Sequence, residues 1–106
     1  MSKKVKVRAS LQDGVTTVKA LMTHPMETGS RKDKETGEVV PAHYIQEVVV
    51  THNDSVVMNA YWGTGVSKNP YLSFKIKGGA DGDVIALTWK DNLGESGSGE
   101  TNIKAK

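Results

Sequence analysis

The strongest constraint on this chain is its excess of β-branched residues, which alternate with polar residues along several short segments. The 106 residues include thirteen Val but only five Leu, and Val, Ile and Thr together supply 26 residues. Such side chains favour the pleated surface of a sheet over a helix. No segment shows helical periodicity over three turns. Composition and pattern together predict an all-β domain.

Short strands separated by turn signals set the expected architecture. Alternation predicts a strand over 5–11, and Asp13-Gly14 predicts a hairpin turn after it. Further strands are predicted over 15–23, 44–51, 55–62, 71–77 and 84–91. In the strand predicted over 15–23, the inward-facing side chains are either Val18, Ala20 and Met22 or Val15 and Leu21. About seven short strands in about 100 residues predict a single immunoglobulin-like β-sandwich over 1–106, with an OB-like barrel as the alternative.

The C-terminal region gives weaker signals than the rest of the chain. Residues 92–100 are rich in Gly and Ser, which predicts a flexible segment. Residues 101–106 form either a short closing strand or a frayed tail.

Composition excludes several classes of function. The chain has no cysteine, which rules out disulfides, Cys-based zinc sites, iron–sulfur clusters and a thiol nucleophile within it. No apolar run is long enough to cross a bilayer, and the basic start lacks the apolar core of a secretory signal. Residues 1–34 carry a net charge of +5 and residues 35–106 a net charge of −3. That asymmetry suggests either nucleic acid or an acidic partner, or simply a solvated basic edge.

No motif supplies a catalytic or metal centre. His24, His43 and His52 lack ligand spacing, so loop packing is favoured over a metal site assembled from separate strands. The Gly-x-Ser-x-Gly motif of a nucleophile elbow is absent. Tyr71 and Phe74 would point to opposite faces of a strand, which disfavours a base-stacking platform for nucleic acid. The residues therefore predict a binding or carrier-assembly module without cofactor or metal, rather than an enzyme. An OB-like module that binds single-stranded nucleic acid is the alternative function.

Three blocks of sequence resemble the SoxZ family of sulfur-oxidation proteins. The first runs over 24–29, 31–33 and 41–45, the second over 66–74, and the third comprises Gly82, Asp83, Trp89, Asp91, Asn92 and Gly94. The blocks occur in the family's order and extend over nearly the whole chain.

This resemblance implies the non-catalytic subunit of the SoxYZ carrier in thiosulfate oxidation. In that family an immunoglobulin-like SoxZ forms a tight heterodimer with SoxY, whose C-terminal cysteine holds the sulfur intermediates. The carrier docks transiently with SoxAX, SoxB and SoxCD. The resemblance also implies a periplasmic location reached together with SoxY, without a signal peptide on this chain. Without SoxY the chain could self-associate.

The loops within the family blocks are the predicted partner interface, because a sandwich can gather loops at one end. Arg31, Lys32 and Lys68 are the charges best suited to steering partners. In the competing interpretation, Pro25, Gly29 and Pro70 only set turn geometry. The interface candidates are His24, Pro25, Met26, Glu27, Arg31, Lys32, Asp33, Val66, Lys68, Asn69, Pro70 and Tyr71.

Overall fold

The chain folds as two packed β-sheets in a computed structural model that describes residues 2–66 and 68–105. In these residues the strands are β1 (Ser2–Lys4), β2 (Lys6–Gln12), β3 (Val15–Leu21), β4 (Ile45–His52), β5 (Ser55–Tyr61), β6 (Tyr71–Lys77), β7 (Val84–Asp91), β8 (Ser96–Asn102) and β9 (Lys104–Ala105). One sheet has the order β1-β8-β7-β4-β5 and the other the order β6-β3-β2-β9. The predicted all-β, immunoglobulin-like sandwich is confirmed, and the OB-like barrel is wrong, because the strands form two separate sheets.

Tight turns connect the hairpins where the sequence predicts them. Asp13 and Gly14 join β2 to β3 with φ of 54° and 76°, as a type I′ turn requires. Asn53 and Asp54 join β4 to β5, also with positive φ. Their short polar side chains tolerate this left-handed conformation.

The core lies between the inner faces of the two sheets. The side chains of Val18 and Ala20 in β3, and of Met22 directly after it, point inward and are at most 2% exposed, whereas Leu21 is 43% exposed. The first of the two predicted registers is therefore correct. Opposite them the other sheet contributes Val48, Val50, Ile85, Leu87 and Trp89, each at most 1% exposed.

The prediction of a flexible segment over 92–100 is wrong from residue 96 onward. Residues 96–102 form β8, which pairs with β1 on one side and with β7 on the other. A Cβ atom on Gly97 would collide with the Trp89 indole, and one on Gly99 would collide with the Val5 backbone. These glycines are therefore sites of close packing and not of flexibility.

The end of the described chain is held against the sandwich. Ile103 is 1% exposed, and β9 pairs in parallel with β2. A short closing strand is thus the correct alternative over 104–105, whereas 101–102 end β8 and Lys106 lies outside the described residues. None of the described residues forms a helix that is long and apolar enough to span a membrane.

Candidate functional site

Two histidines and a carboxylate that are distant in sequence meet at one end of the sandwich. His24 follows β3, His43 precedes β4, and Asp91 is the last residue of β7. Because Ile45 pairs with Asp91 in the antiparallel ladder, the start of β4 and the end of β7 share this end. The Nε2 atoms of His24 and His43 lie 3.0 and 2.7 Å from Asp91 Oδ2. We call these three residues, together with Glu95, the histidine cluster.

The Asp91 carboxylate is buried and saturated with hydrogen bonds. Besides the two imidazoles at Oδ2, its Oδ1 accepts hydrogen bonds from the backbone N–H groups of Leu93 (3.0 Å) and Glu95 (2.8 Å). Burial alone would raise the pKa of Asp91. The hydrogen bonds from His24, the Glu95 backbone, His43 and the Leu93 backbone outweigh burial and lower the pKa below its ordinary value. The group is therefore held as a carboxylate.

An unusual backbone conformation determines which nitrogen of His24 carries the proton. Met26 has a φ of 48°, which is uncommon for a residue other than glycine. This turn directs the Met26 N–H to His24 Nδ1 at 3.0 Å. Since Nδ1 accepts that hydrogen bond, the proton resides on Nε2 and is donated to Asp91. The His24 ring also contacts the rings of His43 and Trp89 edge to face.

The cluster contains ligand types suited to a divalent metal ion. The ligand atoms of His24, His43 and Asp91 lie within 4.8 Å of one another, and His43 Nε2 is also 3.0 Å from Glu95 Oε2. Coordination through His24 Nε2 would move the ring proton to Nδ1, where it would face the Met26 N–H. The arrangement therefore does not fit a metal bound through His24. It fits an internal hydrogen-bonded junction that ties the 22–44 loop to the turn after β7.

The third histidine lies away from this cluster. His52, at the end of β4, has its Nε2 2.8 Å from Asp83 Oδ2 beside the start of β7. The antiparallel ladder places this pair at the opposite end of the sheet from Asp91. The histidines thus divide into two groups with separate structural roles.

The structure brings the two predicted interface loops into contact. Asn69 donates its backbone N–H to the His24 carbonyl (2.9 Å), and its Oδ1 accepts the His24 N–H (3.1 Å). The Pro70 carbonyl accepts a hydrogen bond from Met22 N–H at 3.0 Å. Segments 24–33 and 68–71 therefore adjoin at the cluster end of the sandwich.

Exposure divides the interface candidates into three sets. The side chains of His24, Met26 and Pro70 are buried within the chain itself, so they cannot face a partner in this structure. Four candidates are half-buried and five are exposed. The half-buried ones are Pro25, Glu27, Asp33 and Val66, and the exposed ones are Arg31, Lys32, Lys68, Asn69 and Tyr71.

An ion pair changes the expected contribution of Arg31. Its Nε lies 3.0 Å from both carboxylate oxygens of Glu27. The Arg31 hydrogen bond is the main reason that the pKa of Glu27 lies below its usual value. Because Glu27 compensates the charge of Arg31, the steering role at these loops is left to Lys32 and Lys68, and the charge of Lys68 also contributes to the lowered pKa of Glu27.

The sequence interpretation missed the histidine cluster, although one signal pointed to it. Along β7 the buried positions are Ile85, Leu87, Trp89 and Asp91, which alternate strictly. Asp91 is thus an ionisable residue at a position that the period-two pattern assigns to the interior. A buried carboxylate requires donors, and the three histidines, to which the sequence assigned only loop packing, were the available candidates.

Comparisons with known proteins identify both a family and a fold. The family described as "Sulphur oxidation protein SoxZ" matches residues 5–102. No curated protein matches the chain significantly.

Several similar solved structures are described as superoxide reductases, one of them as putative. A variant of the neelaredoxin from Ignicoccus hospitalis superposes with a TM-score of 0.66 at 15% identity, over 99% of this chain and 82% of that one. A putative superoxide reductase from Thermotoga maritima gives 0.62 at 13% identity, over 100% and 88%. A neelaredoxin from Archaeoglobus fulgidus gives 0.56 at 21% identity, over 94% and 85%. At these identities the likeness establishes a shared fold alone.

Proposed function

Because the chain belongs to the SoxZ family of sulfur-oxidation proteins, we propose that it is the non-catalytic subunit of a SoxYZ sulfur carrier. In this role it binds a SoxY partner, whose C-terminal cysteine holds the intermediates of thiosulfate oxidation. The observation that carries the proposal is the family match over residues 5–102. We further propose that the pair reaches the periplasm together and docks there in turn with SoxAX, SoxB and SoxCD.

The chemistry of the chain supports a non-catalytic role. A persulfide or thiosulfonate on a carrier cysteine is open to attack by a nearby thiolate. A companion chain without cysteine cannot intercept that sulfur. The histidine cluster supports the same conclusion, because its buried carboxylate already accepts four internal hydrogen bonds.

An edge strand with exposed apolar side chains supports a stable partner. β5 is the outermost strand of the five-stranded sheet, and its seven residues include no charge and no proline. Val56, Val57 and Tyr61 on it are 62%, 38% and 76% exposed. Monomeric proteins usually protect such an edge with Lys, Pro or a bulge, because it can pair with another chain. In β5 a bulge at Val57 interrupts the pairing with β4, but the strand has neither Lys nor Pro. A partner that covers β5 would explain why its exposed side chains are apolar.

Co-expression with the SoxY of the same genome tests the proposal. We expect the two chains to co-elute in size-exclusion chromatography and to give the mass of a one-to-one heterodimer. Elution of this chain without SoxY would contradict the proposal. Location is tested separately, by fractionating cells that carry SoxY with and without its export signal; this chain should enter the periplasm only in the first case.

A pair of variants tests whether β5 is the covered edge. Val57→Lys places a charge on the exposed side of β5 and should abolish co-elution. Val84→Lys introduces the same charge at a 37% exposed position on β7, two strands away from β5, and should leave co-elution intact. Equal co-elution of both variants would exclude β5 as the contact and leave the loops around Lys32 and Lys68 as the predicted interface.

A further inference from the structure

The outer face of the four-stranded sheet carries positive charge only. Its outward positions are set by the register that pairs Arg8 with Lys19 and Lys19 with Ser73. All of these positions are described by the structure, and no Asp or Glu occupies any of them. The basic residues of this face are Lys6, Arg8, Lys19, Lys75, Lys77 and Lys104. We call this surface the basic face.

The arrangement of these charges is unfavourable for the isolated chain. Arg8 and Lys19 stand directly opposite each other on neighbouring strands, and both are exposed. Like charges in that position repel and destabilise the strand pair. Alternating opposite charges would have kept the surface equally soluble without this repulsion. An anionic partner would relieve it, because binding would place negative charge against both residues.

The basic face is also recessed towards its β9 edge. Arg8, Lys19 and Lys104 border a depression of about 880 Å³, together with polar side chains such as Thr17 and Asn102. A depression with one sign of charge concentrates the electric field and accelerates the approach of an oppositely charged partner.

Two apolar side chains adjoin the positive charges. Leu21 and Tyr71 are direct neighbours in the register, and they are 43% and 57% exposed. Lys6 is opposite Leu21 in the same row. An apolar pair bordered by charge is typical of protein–protein contacts, where a buried aromatic or aliphatic anchor adds affinity within a polar rim.

We propose that the basic face docks an acidic protein surface that has a small apolar centre. A nucleic acid would match the charge equally well. However, Tyr71 is the one aromatic side chain at the outward positions of this sheet, and Leu21 beside it offers nothing to a phosphate backbone. The face is separate from β5, so it would remain accessible while SoxY covers that edge. The inference rests on the proposed function for the choice of probe proteins, which are SoxB and SoxAX.

Association rates of the SoxYZ heterodimer with immobilised SoxB and SoxAX test this surface. Arg8→Gln/Lys19→Gln removes two charges from the basic face, and Lys34→Gln/Lys90→Gln removes two exposed charges elsewhere. At about 50 mM NaCl, the first variant should associate about tenfold more slowly with at least one enzyme. The control should change less than about twofold, and the difference should disappear at about 300 mM salt. Equal rates for the two variants would overturn the proposal.

Two exposed leucines provide a second matched comparison. Leu21→Ser should accelerate dissociation of the same complex, whereas Leu93→Ser, at a 59% exposed position outside the face, should not. Thermal unfolding of each variant establishes that it is folded. Equal dissociation rates would remove the apolar centre from the proposal.

Two further measurements separate this proposal from its alternatives. If Arg8→Gln/Lys19→Gln abolishes binding to a single-stranded oligothymidine but leaves both enzyme rates unchanged, the face binds nucleic acid and the proposal is wrong. Co-elution with SoxY is scored on the same samples. Its failure in the unmodified chain contradicts the proposed function, and the isolated chain is then assayed on both enzymes. Normal co-elution with equal enzyme rates contradicts only the docking surface.

Discussion

Replacing Asp91 with Asn tests whether the histidine cluster stabilises the fold through a carboxylate. The substitution preserves shape and removes one acceptor oxygen and the negative charge. Asp91 is 4% exposed and accepts hydrogen bonds from two imidazoles and from two backbone N–H groups, those of Leu93 and Glu95. Asparagine offers one oxygen and one NH₂ group to these four donors. Either orientation of the amide therefore directs NH₂ at a donor.

The size of the effect follows from the groups left unpaired. His24 cannot change its tautomer without losing the hydrogen bond that Met26 N–H donates to Nδ1. Each buried donor without an acceptor costs about 1–3 kcal/mol, and breaking a buried charged pair typically costs about 3–5 kcal/mol. We expect Asp91→Asn to lower the free energy of unfolding by about 3 kcal/mol. In a domain of this size that corresponds to a decrease in Tm of roughly 12–24 °C.

Urea unfolding at neutral pH, followed by Trp fluorescence, measures this change. Asp54→Asn is the matched control, because Asp54 is exposed in a turn where Asn also tolerates its φ of 68°. The control should stay within about 0.5 kcal/mol of the original chain. If Asp91→Asn lost less than about 1 kcal/mol, the ionised carboxylate would not be the acceptor that holds the cluster together.

Three other expectations can be checked with the same unfolding assays. Gly97→Ala should lower the free energy of unfolding by about 3 kcal/mol, because its Cβ would collide with the rigid Trp89 indole. Gly63→Ala is the control and should be nearly neutral, because a Cβ there meets open space. Similar losses in both variants would refute the packing role of Gly97. The hydrogen bond from His52 holds the pKa of Asp83 below its ordinary value. The pair therefore stabilises the fold at a pH above the ordinary pKa of Asp. This stabilisation is lost as the pH falls from that value through the lower pKa of Asp83 in the folded chain. The original chain should therefore lose more stability than Asp83→Asn between about pH 5 and pH 3, and parallel pH profiles would contradict this. Excess Zn²⁺ should leave Tm unchanged, since the histidine cluster presents a proton where the ion would bind; a rise that depends on metal concentration would show that the cluster rearranges to bind it.

Local pattern was sufficient to predict most of the strands. The predicted strands over 71–77 and 84–91 coincide with β6 and β7. Both alternate strictly, and side-chain alternation is a property of a single strand that does not require knowledge of its neighbours. The Asp13-Gly14 turn was predictable for the same reason. β8 was missed because Gly97 and Gly99 leave no apolar alternation, and their role depends on Trp89 and Val5 in other segments.

The sequence by itself determined the class of fold, the cysteine-free chemistry and the family blocks, because these depend on residue types and on spacing along the chain. Only the tertiary structure decided that His24 and Asp91, 67 positions apart, share a hydrogen bond. It likewise decided that Arg8 and Lys19 stand opposite each other on the basic face. Both outcomes depend on strand order and register, which result from burying the apolar faces of the two sheets together. Short-range pattern specifies which side of a strand is polar, but only sheet pairing specifies which polar residues become neighbours.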